Sequence, residues 1–127
     1  MILIVGGAYQ GKTEYALKNY GLDRTDIADG KTFDFENTDG IMCISDYHEA
    51  VKRYIENGTD PIEISQKLIE KNPDIIIIMN EIGNGIVPID KSQRVWREQT
   101  GKTGCFLAER ADEVIRVTCG CWVKIKG

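Results

Sequence analysis

Met1-Ile2-Leu3-Ile4-Val5-Gly6-Gly7-Ala8-Tyr9-Gln10-Gly11-Lys12-Thr13 opens the chain. Met1–Val5 is continuous and aliphatic, as a strand buried on both faces must be. Gly6-Gly7 ends that strand, and Lys12–Tyr20 reads as a helix closed by Gly21. Between them, Gly6 to Thr13 fits G-x-x-x-x-G-K-[ST]. The spacing has a chemical reason. Glycines let the backbone curl until successive N–H groups point at one anion. The helix that opens at Lys12 adds the positive end of its dipole. This phosphate loop predicts that Gly6, Gly7, Ala8, Tyr9, Gln10 and Gly11 cradle the phosphates of ATP or GTP. Lys12 reaches the β- and γ-phosphates, and the Thr13 hydroxyl ligates Mg²⁺.

Outward from this stretch, strands and helices alternate. Residues 22–40 are polar loop, with a short edge strand expected around Thr32–Phe35. Ile41–Ser45 is a second buried strand, and Tyr47–Asn57 is a helix stopped by Gly58. Asp60-Pro61 caps a helix that runs to Lys71. Asp74–Met79 is the most aliphatic segment and is expected at the centre of the sheet. Asn80 to Pro88 is a glycine-containing loop. Asp90 caps a helix through Gln99; Gly101 and Gly104 interrupt it, and a second piece covers Cys105–Ala111. Val114–Thr118 is a fourth strand, and Trp122–Ile125 a fifth, joined by a turn at Gly120. Strands separated by helices imply right-handed crossovers and a parallel sheet flanked by helices, an α/β fold.

The 127 residues hold 42% apolar and 28% charged side chains, the composition of an ordinary globular chain. One domain over residues 1–127 is expected. The charge is −4, with 16 basic against 20 acidic residues and no basic block, which argues against nucleic acid as a partner. The longest aliphatic run, Ile75–Met79, is too short to span a membrane. The start has no basic residues before its apolar run, so no signal peptide is read there and a cytoplasmic protein is the expectation. Cys43, Cys105, Cys119 and Cys121 are too sparse for a disulfide framework. Cys43 and Cys119 fall in apolar strand-like runs, and buried free thiols are expected.

In parallel sheets ligands sit at the carboxyl ends of strands, which selects Gly6–Thr13, Asp46–His48 and Asn80–Pro88. Asp46 ends an apolar run, where a carboxylate can hold Mg²⁺, or alternatively cap the next helix. Glu81 could act as general base on an acceptor hydroxyl. His48, the single histidine, could carry a phosphoryl or nucleotidyl group, or simply cap or pack. Arg94 and Arg97, one helical turn apart, could clamp phosphates or form a solvated face.

Two motifs together carry a resemblance. Gly6-Gly7-Ala8 with Gly11-Lys12-Thr13, and Asn80-Glu81-Ile82-Gly83-Asn84-Gly85-Ile86-Val87-Pro88, resemble the adenosylcobinamide kinase / adenosylcobinamide-phosphate guanylyltransferase family of cobalamin biosynthesis. Ala108-Glu109-Arg110-Ala111-Asp112-Glu113-Val114 and the terminal Val123-Lys124-Ile125-Lys126 match in position. The resemblance implies a P-loop NTPase with a RecA-like parallel sheet, an NTP with Mg²⁺, a corrinoid substrate (adenosylcobinamide) and a ring-shaped homo-oligomer. It implies phosphorylation of the aminopropanol hydroxyl, then GMP transfer from GTP through a guanylylated histidine. The chain departs from the family pattern in three places. Residues 21–40 are shorter and hold no histidine, Tyr9-Gln10 stands where the family usually shows Arg-Ser, and Gly101-Lys102-Thr103-Gly104-Cys105 replaces G-R-x-N-Q. The kinase is therefore the leading expectation. The alternatives are a nucleotide-binding module without transfer chemistry and a guanylyltransferase that uses His48.

Overall fold

Ile2–Gly6 (β1) lies inside a six-stranded sheet with the order β2-β3-β4-β1-β5-β6. The computed structural model describes residues 1–81 and 90–127. In chain order the other elements are α1 (Lys12–Asn19), β2 (Ile27–Asp29), β3 (Cys43–Ser45), α2 (Tyr47–Glu56), α3 (Pro61–Lys71), β4 (Ile76–Asn80), α4 (Lys91–Arg110), β5 (Glu113–Thr118) and β6 (Cys121–Lys126). A 3₁₀ turn at Arg24–Asp26 precedes β2. The first five strands are parallel, and β6 turns back antiparallel on β5. This is the α/β, RecA-like P-loop NTPase fold, with one antiparallel edge strand added to the parallel sheet.

The aliphatic strands sort by the two-residue strand period. Leu3, Ile77, Met79 and Ile44 face one side; Ile4, Ile76, Ile78 and Cys43 face the other. Handedness then assigns the helices. From β1 the chain travels through α1 toward the β2 edge. From β3 to β4, and from β4 to β5, it travels the opposite way through α2–α3 and α4. Right-handed crossovers in opposite directions must lie on opposite faces. Accordingly α1, through Tyr15, Ala16 and Tyr20, covers the Ile4 face. Helices α2, α3 and α4 bring Val51, Tyr54, Leu68 and Leu107 to the Leu3 face.

Four local expectations need correction. The edge strand is Ile27–Asp29, not Thr32–Phe35. Ile27 and Ala28 pack into the two cores beside β3, whereas Phe33 and Phe35 leave the sheet to stack under α2. The helix after Asp90 does not break at its glycines but runs unbroken for 20 residues. Its Trp96, Thr100, Thr103 and Leu107 recur at helical spacing on the buried side, and this packing outweighs the weak helix preference of Gly101 and Gly104. The sheet is mixed, not wholly parallel, because β5 and β6 form a hairpin too short for a crossover. The four cysteines are free, but Cys43 alone of them is buried, its thiol pushed up to about 12 by burial. Cys119 is exposed in the hairpin turn, where Cys119 (φ 50°) and Gly120 (φ 75°) take the two positive φ angles of a type I′ turn.

Candidate functional site

The carboxyl ends of β1, β3 and β4 open on one cleft of about 450 Å³. The loop after β1 supplies Ala8, Tyr9, Gln10 and Gly11, and the first turn of α1 supplies Lys12, Thr13 and Glu14. Asp46, His48, Glu49, Ile78 and Asn80 complete that wall. Gly6 sits where β1 meets β5; a Cβ there would lie 2.3 Å from Val117 O, so only glycine fits. Gly11 takes φ 92° at the N-cap of α1 and brings no capping side chain. The first N–H groups of an α-helix have no intrahelical acceptors, which leaves those of α1 for an anion.

Lys12 is buried, and its ammonium donates to Gly7 O at 2.5 Å. Burial pulls its pKa below the usual lysine value, while the Asp46 and Glu81 carboxylates oppose that shift. Asp46 occupies the N-cap position of α2 with φ 50° and ψ 46°, yet its side chain makes no cap hydrogen bond. Its two oxygens instead lie 3.9 Å from Lys31 Nζ and 3.9 Å from His48 Nε2. His48 is also buried. The Asn80 N–H donates to His48 Nδ1 at 3.1 Å, so the neutral ring carries its proton on Nε2, on the Asp46 side. Burial lowers the His48 pKa; Asp46 and Glu49 oppose this, and Lys12 and Lys31 reinforce it. Trp96 Nε1 donates to His48 O at 2.8 Å, tying α4 to the start of α2.

Glu81 follows β4. Its N–H donates to Gly6 O at 2.9 Å, and its Oε2 accepts from Arg116 Nη2 of β5 at 3.0 Å. Glu81 thus stands beside the phosphate loop without lining the cleft. Arg94 and Arg97 lie on the first half of α4 and are not among the described residues that line it. Of the Asn80–Pro88 stretch, the part from Ile82 onward lies outside the described residues.

Sequence reasoning passed over Arg24 and Lys31, which also line the cleft, and Arg116. Lys31 was legible only with the correct edge strand. With β2 at Ile27–Asp29, Lys31 falls at the carboxyl end of a strand, where ligand-binding residues gather. The backbone there is tightly set. Gly30 N–H donates to Ser45 O at 2.7 Å, and a Cβ on Gly30 would lie 2.2 Å from Asp46 O. Gln10 has an unforeseen role too. Its carbonyl accepts from Gly120 N–H at 2.9 Å and its side-chain Oε1 from Cys119 N–H at 2.5 Å. The phosphate loop is thereby stitched to the β5–β6 turn.

The donor set fits Mg²⁺ shared with a phosphate. Thr13 and Asp46 offer hard oxygen donors on one cleft. Among the described residues no three His, Cys, Asp or Glu side chains converge as an all-protein cage. Mg²⁺ characteristically binds through one or two protein oxygens plus substrate phosphates.

The family model for cobinamide kinase / cobinamide phosphate guanyltransferase matches residues 41–125, from the lead-in to β3 through β6. The chain belongs to this family. Two curated relatives carry the name bifunctional adenosylcobalamin biosynthesis protein CobU. The one from Salmonella typhimurium is 36% identical over 80 residues, 62% of this chain and 42% of the relative. The one from Escherichia coli is 40% identical over 52 residues, 41% of this chain and 29% of the relative. The cobinamide kinase / guanyltransferase match thus spans less than half the length of either curated relative. It covers Asp46, His48 and Glu81, whereas the phosphate loop lies ahead of the matched residues.

Proposed function

We propose that the protein is a nucleotide-dependent kinase of cobalamin biosynthesis that transfers the γ-phosphoryl group of ATP or GTP to the hydroxyl of adenosylcobinamide or a related corrinoid. One observation carries the reading: Lys12, Thr13 and Asp46 line a single cleft at the carboxyl ends of the central strands. The α1 N–H groups and Lys12 would bind the β- and γ-phosphates. Thr13 and Asp46 would hold Mg²⁺, which when bound neutralises charge on the transferred phosphoryl group. Lys31 and Arg24 add two further cations to the lining of the cleft. Glu81, fixed by Arg116, would orient the acceptor hydroxyl and accept its proton. Positioning and electrostatic stabilisation account for most of the acceleration in such transfers.

The hydrogen bonding of His48 favours a positioning role over a covalent one. A neutral imidazole whose Nδ1 lone pair accepts the Asn80 N–H has its proton on Nε2, so that nitrogen has no lone pair for attack on an α-phosphate. Nε2–H beside Asp46 would instead hold the carboxylate toward the metal.

The test is calorimetric titration with Mg·ATP and Mg·GTP, followed by assay of phosphorylated adenosylcobinamide. Lys12→Ala should weaken nucleotide binding by about 100-fold, the cost of removing a buried charged donor. Unchanged affinity removes the phosphate-site reading. Tight binding without product, in the wild-type chain, turns the assignment into a nucleotide-binding module.

A further inference from the structure

Cys119-Gly120-Cys121 sets two thiols on either side of one glycine, at the tip of the β5–β6 hairpin. Both cysteines are free and exposed, unlike Cys43 in the core. Thr118 and Cys121 pair across the hairpin and close the turn around them. Gly120, at φ 75°, curls the chain between the two cysteines. Residues two apart on such a curl have Cα atoms about 5.5 Å apart, within the span that a disulfide bridges. The same tip touches the phosphate loop. Cys119 N–H donates to Gln10 Oε1 at 2.5 Å, and Gly120 N–H donates to Gln10 O at 2.9 Å. Gly120 also packs on Gly11, where a Cβ would lie 3.4 Å from Gly120 Cα. Gln10 and Gly11 immediately precede Lys12.

We propose that Cys119 and Cys121 form a reversible disulfide whose closure loosens the phosphate loop. The oxidant is a low-molecular-weight disulfide such as glutathione disulfide. The thiolate of one cysteine attacks it and expels one glutathione. The second protein thiolate attacks the resulting mixed disulfide and expels the other. The protein gives up two protons and two electrons, and the glutathione leaves as two thiols. Exposure opens both cysteines to this exchange, where burial closes Cys43 to it. The new ring is small, and Gly120 N lies within it. Side chains two residues apart on a curled backbone diverge, so the ring closes only by rotating the peptide at Gly120. That rotation turns Gly120 N–H away from Gln10 O and disturbs the Cys119 N–H bond beside it. The disulfide stands independently of any ligand, and its effect on nucleotide affinity rests on the phosphate-loop reading.

The experiment oxidises the full chain with glutathione disulfide, blocks the remaining thiols with iodoacetamide and reads tryptic peptides by mass. Trypsin cuts after Arg116 and Lys124, so one peptide, residues 117–124, carries both cysteines. That peptide should be two hydrogens lighter and free of alkylation, and dithiothreitol should restore both thiols. Backbone amides of residues 7–11 should exchange faster in the oxidised chain than in the reduced one. Mg·ATP affinity should fall by about 10-fold, the worth of about one hydrogen bond. Cys121→Ser should bind Mg·ATP as the reduced wild type does and show neither change with oxidant, while Cys105→Ser should respond as wild type. A stable glutathione adduct on the peptide, or a bridge to Cys105 or to a second copy of the chain, overturns the proposal. So does a closed disulfide with unchanged amide exchange in the loop. If the disulfide forms and loop exchange rises, but neither form of the chain binds Mg·ATP, the phosphate-loop reading fails and the disulfide stands.

Discussion

His48 shows how much one hydrogen bond decides. Its buried ring is kept neutral, with a folded pKa below the usual value near 6.5. As pH falls, the unfolded chain takes up this proton first. The stabilisation is therefore complete above about pH 6.5 and is lost as pH drops through the lowered folded value. Wild type should lose up to about 1 kcal/mol more than His48→Gln between pH 7 and 5.5, read from urea midpoints. Equal losses would mean that the ring is not kept neutral. The carboxylates held low belong to another window. Asp90 is lowered by the Ser92 N–H and Glu113 by the Lys124 ammonium, so their contributions fade as pH falls from the ordinary carboxylate range through the lowered folded values. At this scale the turn from β1 into α1 was readable because Gly6 to Thr13 is one contiguous run. The Asn80 to His48 bond was not, since its partners lie 32 residues apart and meet only when β4 pairs beside β3.

At the scale of elements, α4 is where local preference and packing disagree. The sequence argues for a break at Gly101 and Gly104, and the helix continues through both. Each glycine has its own setting. A Cβ on Gly104 would meet Met79 at 3.8 Å, an ordinary contact against β4, while Gly101 is exposed with nothing within 4 Å. Gly101 thus costs helix stability without a packing return. Gly101→Ala should raise the unfolding free energy by about 1 kcal/mol, measured by denaturant titration. A decrease would mean that α4 is not helical at that point. The other helices were legible because their stops are unambiguous. Asp60 caps α3 by accepting from Ile62 N–H at 3.0 Å, with Pro61 at the first helical position. The edge strand was not, because β2 has only three residues, and Phe33 and Phe35 looked more strand-like than Ile27-Ala28-Asp29.

At the scale of the whole molecule, the cleft is completed by a segment that belongs to no helix or strand. Opposite crossover directions bring the ends of β1, β4 and β3 together, but Lys31 reaches Asp46 only if the chain after β2 folds back over β3. Arg53 of α2 holds it there. Its guanidinium donates to Gly30 O at 3.0 Å and Phe33 O at 2.8 Å, and lies 5.5 Å and 5.2 Å from the Phe33 and Phe35 ring centres. Lysine could not replace it, since a single ammonium cannot span two carbonyls in a planar fork while stacking on two rings. Arg53→Lys should therefore destabilise the protein by about 2 kcal/mol, from two charge-assisted bonds and the ring contacts. The larger consequence is local. With residues 30–36 released, Lys31 loses its place beside Asp46, and Mg·ATP affinity should fall several-fold while helix content by circular dichroism stays unchanged. Limited proteolysis separates this from general unfolding: cleavage should concentrate at Lys31 and its neighbours, and nucleotide should protect the wild-type chain more than the variant. Wild-type affinity and cleavage rates in Arg53→Lys would show that the close approach of Gly30 to Asp46 holds the segment without the arginine.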